Sequence, residues 1–329
     1  MKILVIFTGG TIGSSTASDG YTSPDQKNNF VLINNYTSKF GNDTEFDTLS
    51  PFSMLSENLS HTELNGITET VGANIRNGYD GIILTHGTDS LQYTAAALSY
   101  CFPSINIPVI LVSSRYPLIH PEQNGDDNFA AAVSFIKEKA GKGVFVSYRN
   151  NGCESTRIHY GTRVFSHLEI TDSVYSIGDM FYASHLDGKI TLNKAFKFSD
   201  ADTENKIRKF CPNSGILVVN SVPGDAFDYS LDGKKAVLLR PYHSGTVNTE
   251  SASFRAFCKR AKEKAIPVFV PGAGIETAYA STAIFNELNI KHLPCITFVS
   301  AYIKLWLAVS EEADINEFMY KPIASEVLI

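Results

Sequence analysis

Short, apolar, β-branched runs recur along this chain, with longer stretches of helical period between them. Residues 3–7, 81–85, 109–113, 144–147, 216–219, 236–239 and 268–270 each read as a strand. They are continuously apolar rather than alternating, the pattern of strands covered on both faces. Residues 90–100, 128–139 and 251–264 read as helices. The first has an N-cap candidate in Asp89, and the last gathers basic residues near its end, where the helix dipole favours them. Strands separated by helices imply βαβ units, because parallel neighbours need a long crossover. The expected fold class is α/β: a doubly wound, mostly parallel sheet in a larger N-terminal domain, with a smaller C-terminal α/β domain. The chain turns polar and charged from Asp187, through Asp200, Asp202 and Glu204, to Pro212. A boundary there gives a catalytic domain over 1–190, a linker over 191–212 and a second domain over 213–329.

Composition narrows the class. Hydrophobic residues make up 43% of the chain, and 28 Lys and Arg stand against 34 Asp and Glu, for a net charge of −6. That is too apolar for an intrinsically disordered chain and gives no basic groove for nucleic acid. Cys101, Cys153, Cys211, Cys258 and Cys295 include no CxxC pair, so buried, reduced thiols are expected rather than disulfides or a zinc site. The apolar run at 3–7 is shorter than a signal-peptide core, and the run at 295–309 is broken by Lys304. A cytoplasmic protein with no membrane segment is expected. Residues 14–30 are rich in Ser, Thr, Asp, Gly and Asn. A mobile loop that closes over a site is expected there.

In open parallel sheets ligands sit at the carboxyl ends of the strands. Two strand ends carry unusual residues: Thr8-Gly9-Gly10-Thr11-Ile12 and His86-Gly87-Thr88-Asp89-Ser90. Each sets a hydroxyl beside glycine, where backbone and ligand can approach closely. Read alone, Gly9-Gly10 is equally an ordinary tight turn, and Asp89 a helix cap. Neither GxGxxG nor the Walker spacing is present, so a phosphate cradle is a poor match. Together the two ends suggest hydroxyl nucleophiles with a carboxylate nearby.

The pair resembles the two signature segments, TGGTI and HGTD, of the bacterial-type L-asparaginase/glutaminase family. Asn124-Gly125-Asp126-Asp127-Asn128 is similar to the family's loop that opens a helix. Tyr242-His243-Ser244-Gly245-Thr246 is similar to its YGSGN segment, and Lys304-Leu305 to its KL pair. The likeness is weak between residues 150 and 215. The resemblance implies a larger doubly wound domain followed by a smaller one. It also implies hydrolysis of L-asparagine to L-aspartate and ammonia, with glutamine as a second candidate substrate and no cofactor or metal. A homodimer or homotetramer is implied, with no nucleic-acid or membrane partner. Thr11 corresponds to the nucleophile and Tyr21 to the loop tyrosine that activates it. Thr88 and Asp89 correspond to the second threonine and to the carboxylate that holds the substrate's α-ammonium. Ser56 binds the α-carboxylate, with Gly10, Glu57 and Gly87 beside the substrate. His86 is expected to be structural.

The family's lysine partner of the second threonine has no counterpart here. The segment after Tyr148 holds no lysine, and Thr162-Arg163 is its best match, with Thr156-Arg157 second. Arg163 is therefore expected beside Thr88 and Asp89 in an electrostatic role, since arginine does not lose its proton. Any proton movement at Thr88 is expected through water or Tyr160. Related amidotransferase subunits carry an extra domain ahead of the first motif. Here that motif begins at residue 8, which favours the amidohydrolase. A second expectation is an amino-acid sensor that keeps the fold and pocket without turnover.

Overall fold

A computed structural model describes residues 1–16, 22–24, 29–168, 170–212, 214–272 and 279–329. Strand β1 (Lys2–Phe7) opens the chain, and a hairpin of β2 (Ser14–Thr16) and β3 (Thr22–Pro24) follows it. Seven more strands join β1: β4 (Glu45–Leu49), β5 (Gly81–Thr85), β6 (Pro108–Val112), β7 (Gly143–Tyr148), β8 (Thr156–Tyr160), β9 (Ala183–Leu186) and β10 (Lys189–Leu192). The order across this sheet is β10-β9-β8-β7-β6-β5-β1-β4. From β4 to β7 all neighbours are parallel, while β8, β9 and β10 add antiparallel strands at one edge. A second sheet is parallel throughout: β11 (Ile216–Asn220), β12 (Ala236–Arg240), β13 (Val268–Val270) and β14 (Ile290–His292). The α/β class and the two-sheet organisation agree with the strand pattern of the sequence.

Helices cover both faces of the first sheet. On one side α1 (Asn29–Phe40) and α4 (Gly125–Lys137) bring Leu32, Phe129 and Phe135 onto Ile3, Val5 and Ile110. On the other, α2 (His61–Asn74) and α3 (Leu91–Cys101) bring Ile67, Val71 and Leu98 onto Leu4, Ile82 and Leu111. Residues of β1 therefore alternate between two cores, which is why the strand is apolar at every position. Nearly every residue of α3 is buried, because the helix is also covered by α7 (Phe298–Ser310). In the second unit α5 (Ala252–Glu263) lays Phe254 and Phe257 on β11–β13, capped by the Ser251 hydroxyl, which accepts from the Phe254 N–H at 3.3 Å. Two short helices, α6 (Ala280–Ala283) and α8 (Ile315–Tyr320), complete the fold.

One expectation about local structure changes. Asp89 does not cap α3: the helix starts at Leu91 behind a 3-10 turn, Thr88–Ser90, with no side-chain cap. Its carboxylate instead accepts from the Ser56 hydroxyl. In the stretch 14–30, β2 and β3 pair as an antiparallel hairpin, while residues 17–21 and 25–28 lie outside the described residues. Of the cysteines, Cys101, Cys258 and Cys295 are buried, while Cys153 and Cys211 are partly exposed. Among the described residues no helix is long and apolar enough to cross a membrane.

Candidate active site

Strands β1 and β5 are adjacent and parallel, with Phe7 opposite Thr85, so both motifs emerge side by side at the carboxyl end of the sheet. The Thr8 hydroxyl ties them by donating to the Thr85 carbonyl at 2.7 Å. Gly9 and Gly10 follow with φ of +100° and +80°, a backbone that L side chains rarely adopt. Space forbids any other residue at position 10, since a Cβ there would lie 2.2 Å from the Gly87 backbone nitrogen. A third loop closes the set. The Met54 N–H donates to Thr8, and the Gly10 N–H donates back to Met54 at 3.1 Å. A Cβ on Gly87 would lie 2.4 Å from the Ser56 hydroxyl. Three loops are thus in backbone contact, and glycine is what lets them meet.

This contact sets Gly10, the residue before Thr11, against Gly87, the residue before Thr88, and Ser56 meets Asp89 beside it. Thr11 opens a 3-10 turn and is partly exposed. Ser56 is buried, and its hydroxyl donates to Asp89 at 3.2 Å, while the Ser90 hydroxyl holds the Ser56 carbonyl at 2.5 Å. The Thr88 hydroxyl lies 2.7 Å from that of Ser113, at the end of β6. Ser56, exposed Glu57 and Asp89 line a cavity of about 570 Å³. Its far wall comes from the second sheet and α7, with Asn220, Arg240 and Trp306. Hydroxyls, the Asp89 and Glu57 carboxylates and nearby glycine-flanked backbone suit a small zwitterion and an acyl-transfer chemistry.

His86 is fully buried between the Gly87 carbonyl and the Thr94 hydroxyl, each 2.8 Å from a ring nitrogen. Burial pushes its pKa down to about 4, so the ring is neutral. It braces the motif rather than reaching the cavity. Among the described residues no group of three or more His, Cys, Asp or Glu side chains converges as a metal site requires. Tyr21 lies outside the described residues.

Arg163 requires a correction. Strand β8 runs antiparallel to β7, with Tyr160 opposite Phe145 and Arg157 opposite Tyr148. The turn that follows β8, Gly161–Arg163, therefore lies at the end of the sheet away from Thr88. Arg163 is fully buried there. Its Nε donates to the Ser325 carbonyl at 2.9 Å, an Nη donates to Val327 at 3.0 Å, and the guanidinium covers the Phe196 ring. Among the described residues no hydrogen bond or ion pair joins it to Thr88 or Asp89. Tyr160 is likewise displaced into an aromatic cluster with Phe145, Phe196 and Phe198. The second match, Arg157, reaches the correct end of the sheet but pairs with Asp179 at 2.6 Å.

Two amides of the segment that opens α4 hold the strand ends behind Thr88 and Ser113. Asn124 donates to the Arg149 carbonyl at 2.8 Å and accepts from the Arg115 N–H at 2.9 Å. Asn128 donates to the Ser113 carbonyl at 2.8 Å and accepts from the Arg149 N–H at 2.7 Å. These two buried amides lock the ends of β6 and β7 together at the start of α4. Their spacing at the start of a helix is visible in the sequence, but their partners are distant along the chain. Arg240 has no such signal: only the packing of the second sheet against the first brings it to the cavity, with its guanidinium 4.1 Å from the Phe298 ring.

Residues 2–177 match the family described as "Asparaginase, N-terminal". The L-asparaginase of Thermococcus kodakarensis is 30% identical over 189 residues, which is 56% of this chain and 56% of that relative. A glutamyl-tRNA(Gln) amidotransferase subunit of Sulfolobus acidocaldarius is 24% identical over 346 residues, covering 99% of this chain and 75% of that one. Among solved structures, the thermostable L-asparaginase of Thermococcus kodakarensis superposes with a TM-score of 0.82 at 23% identity, over the whole of both chains. The matched segment carries both glycine-bearing motifs and every strand from β1 to β8, and on that footing the chain belongs to the asparaginase family.

Proposed function

We propose that this protein is an amidohydrolase that converts L-asparagine to L-aspartate and ammonia. The observation that carries the proposal is the contact of Gly10 with Gly87, the residues that precede Thr11 and Thr88, beside the Ser56–Asp89 hydrogen bond. A zwitterionic amino acid needs an anion for its ammonium and donors for its carboxylate, and Asp89 and Ser56 supply them side by side. Thr11 directly follows the glycine pair and is assigned the attack on the side-chain amide. Its hydroxyl is a weak nucleophile at neutral pH and needs a neighbouring group to take the proton, the role the family resemblance gives to Tyr21. Backbone N–H groups beside Gly10 and Gly87 are suited to hold the developing oxyanion.

A second reading has support of its own. Glutamyl-tRNA(Gln) amidotransferase subunits align over most of this chain, including the Sulfolobus acidocaldarius relative at 99% coverage. In that reading the same site releases ammonia from an amide for delivery to another centre. Ammonia release from free asparagine and from free glutamine by the purified chain, followed beside calorimetric titration with aspartate, separates the readings. Asparagine turnover without added partners supports the hydrolase. Turnover only with a partner protein and its RNA supports the transferase. Aspartate binding without turnover marks a sensor.

A further inference from the structure

The last residue of β7 carries a hydroxyl that the substrate-binding groups leave without a task. Tyr148 is fully buried, its ring held among Val146, Val164 and Val174 in the core beneath α3. Its Oη has no hydrogen-bond partner among the described residues, and its near polar neighbours are the side chains of Asn124 and Thr88. Asn124 is engaged at both ends of its amide, with Arg149 and Arg115. Thr88 is not saturated. Its oxygen has two lone pairs and one proton, and its contacts are the Ser113 hydroxyl at 2.7 Å and the Ser114 carbonyl at 3.4 Å. The sheet explains the placement. Ser147 lies opposite Val112 in parallel register, so Tyr148 ends its strand beside Ser113, at the edge where Thr88 also stands.

We propose that Tyr148 is a positioning residue for Thr88: its O–H donates to Thr88 Oγ1 and turns the Thr88 proton away from the Ser114 carbonyl, 3.4 Å distant, and into the site. The proposal rests on the hydrolase reading above and assigns the neighbour that orients the second threonine. Burial pushes the Tyr148 phenol up to about 12, so at neutral pH it is a donor and keeps its proton. A hydroxyl that accepts a hydrogen bond offers its own proton more strongly, because bonds in a chain polarise one another. Directed at the substrate amide, that proton favours departure of the leaving nitrogen. No proton leaves Tyr148 in this arrangement.

Tyr148→Phe removes the hydroxyl and keeps the ring. The expected result is a fall in kcat for ammonia release from asparagine of about tenfold or more, with KM unchanged and cooperative unfolding retained. In a Thr88→Val background the same substitution should cause no further loss. An unchanged kcat for Tyr148→Phe, or an equal loss in both backgrounds, would overturn the assignment. Should the wild-type chain release no ammonia from any amino-acid amide, the hydrolase reading fails separately. The contact is then decided by unfolding of the same four proteins in urea. Non-additive effects of the two substitutions support the Tyr148–Thr88 bond, and additive effects overturn it.

Discussion

At Gly10 a single hydrogen atom in place of a side chain decides whether the three loops can meet. A Cβ there would stand 2.2 Å from Gly87, on a backbone with φ of +80°. Gly10→Ala should cost roughly 3 kcal/mol of stability, from steric overlap and left-handed strain together, and urea unfolding will measure it. Ser56→Ala should act differently. It removes a donor that faces Asp89 and the proposed α-carboxylate, so aspartate affinity should weaken about tenfold in calorimetry while the fold persists. Gly10 is legible in the sequence because two glycine–hydroxyl motifs recur at strand ends, and Ser56 is legible only through the family resemblance. Arg163 is not legible in the same way. Its place depends on the direction of β8, and reversing that strand moves the residue to the opposite end of the sheet. Tyr148 is hidden for a related reason: an apolar strand ending in tyrosine looks like core until its hydroxyl is seen to lack a partner.

The elements that the sequence reveals are those buried on both sides. β1, β5 and β6 are apolar at almost every position and stand out. β4 is half-exposed at the sheet edge, and β8 to β10 mix charged and polar residues, so no continuous apolar run marks them. The closing segment 321–328 has no helix or strand to announce it, yet it fastens the first sheet to α7. Thr162 and Arg163 bond to Ala324, Ser325 and Val327. Glu326 is completely buried, pairs with Lys304 at 2.6 Å and accepts from the Ala324 N–H at 2.8 Å. Burial lowers the Lys304 pKa, and Glu326 offsets part of that shift. Breaking a buried pair by neutralising one partner leaves the other charge uncompensated. Glu326→Gln should therefore destabilise the fold by about 3–5 kcal/mol, measured by chemical denaturation. Because neither Glu326 nor Lys304 lines the cavity, aspartate affinity of the folded variant should be unchanged.

Over the whole molecule, buried neutral histidines set an acid limit on stability. Burial pushes His86 down to about 4 and His159 to about 3, against an ordinary value of 6.5. Below pH 6.5 the unfolded chain takes up protons that the folded chain refuses, so stability falls as pH falls toward 4. From these two residues alone the slope is about 2.5 kcal/mol per pH unit near pH 5. Urea titrations across that range should show it, and His159→Gln should remove about half. The cavity itself is a property of the whole, since one wall comes from the loops of the first sheet and the other from β11, β12 and α7. Only the first wall can be read from motifs. The most direct test of the proposed hydrolase is a crystal structure with aspartate, its product, bound. The α-ammonium is expected on Asp89, the α-carboxylate on Ser56 Oγ, and the side-chain carboxylate between the Thr11 and Thr88 hydroxyls. Aspartate seated away from Asp89, or with its side chain out of reach of Thr11, would contradict the assignment of this site.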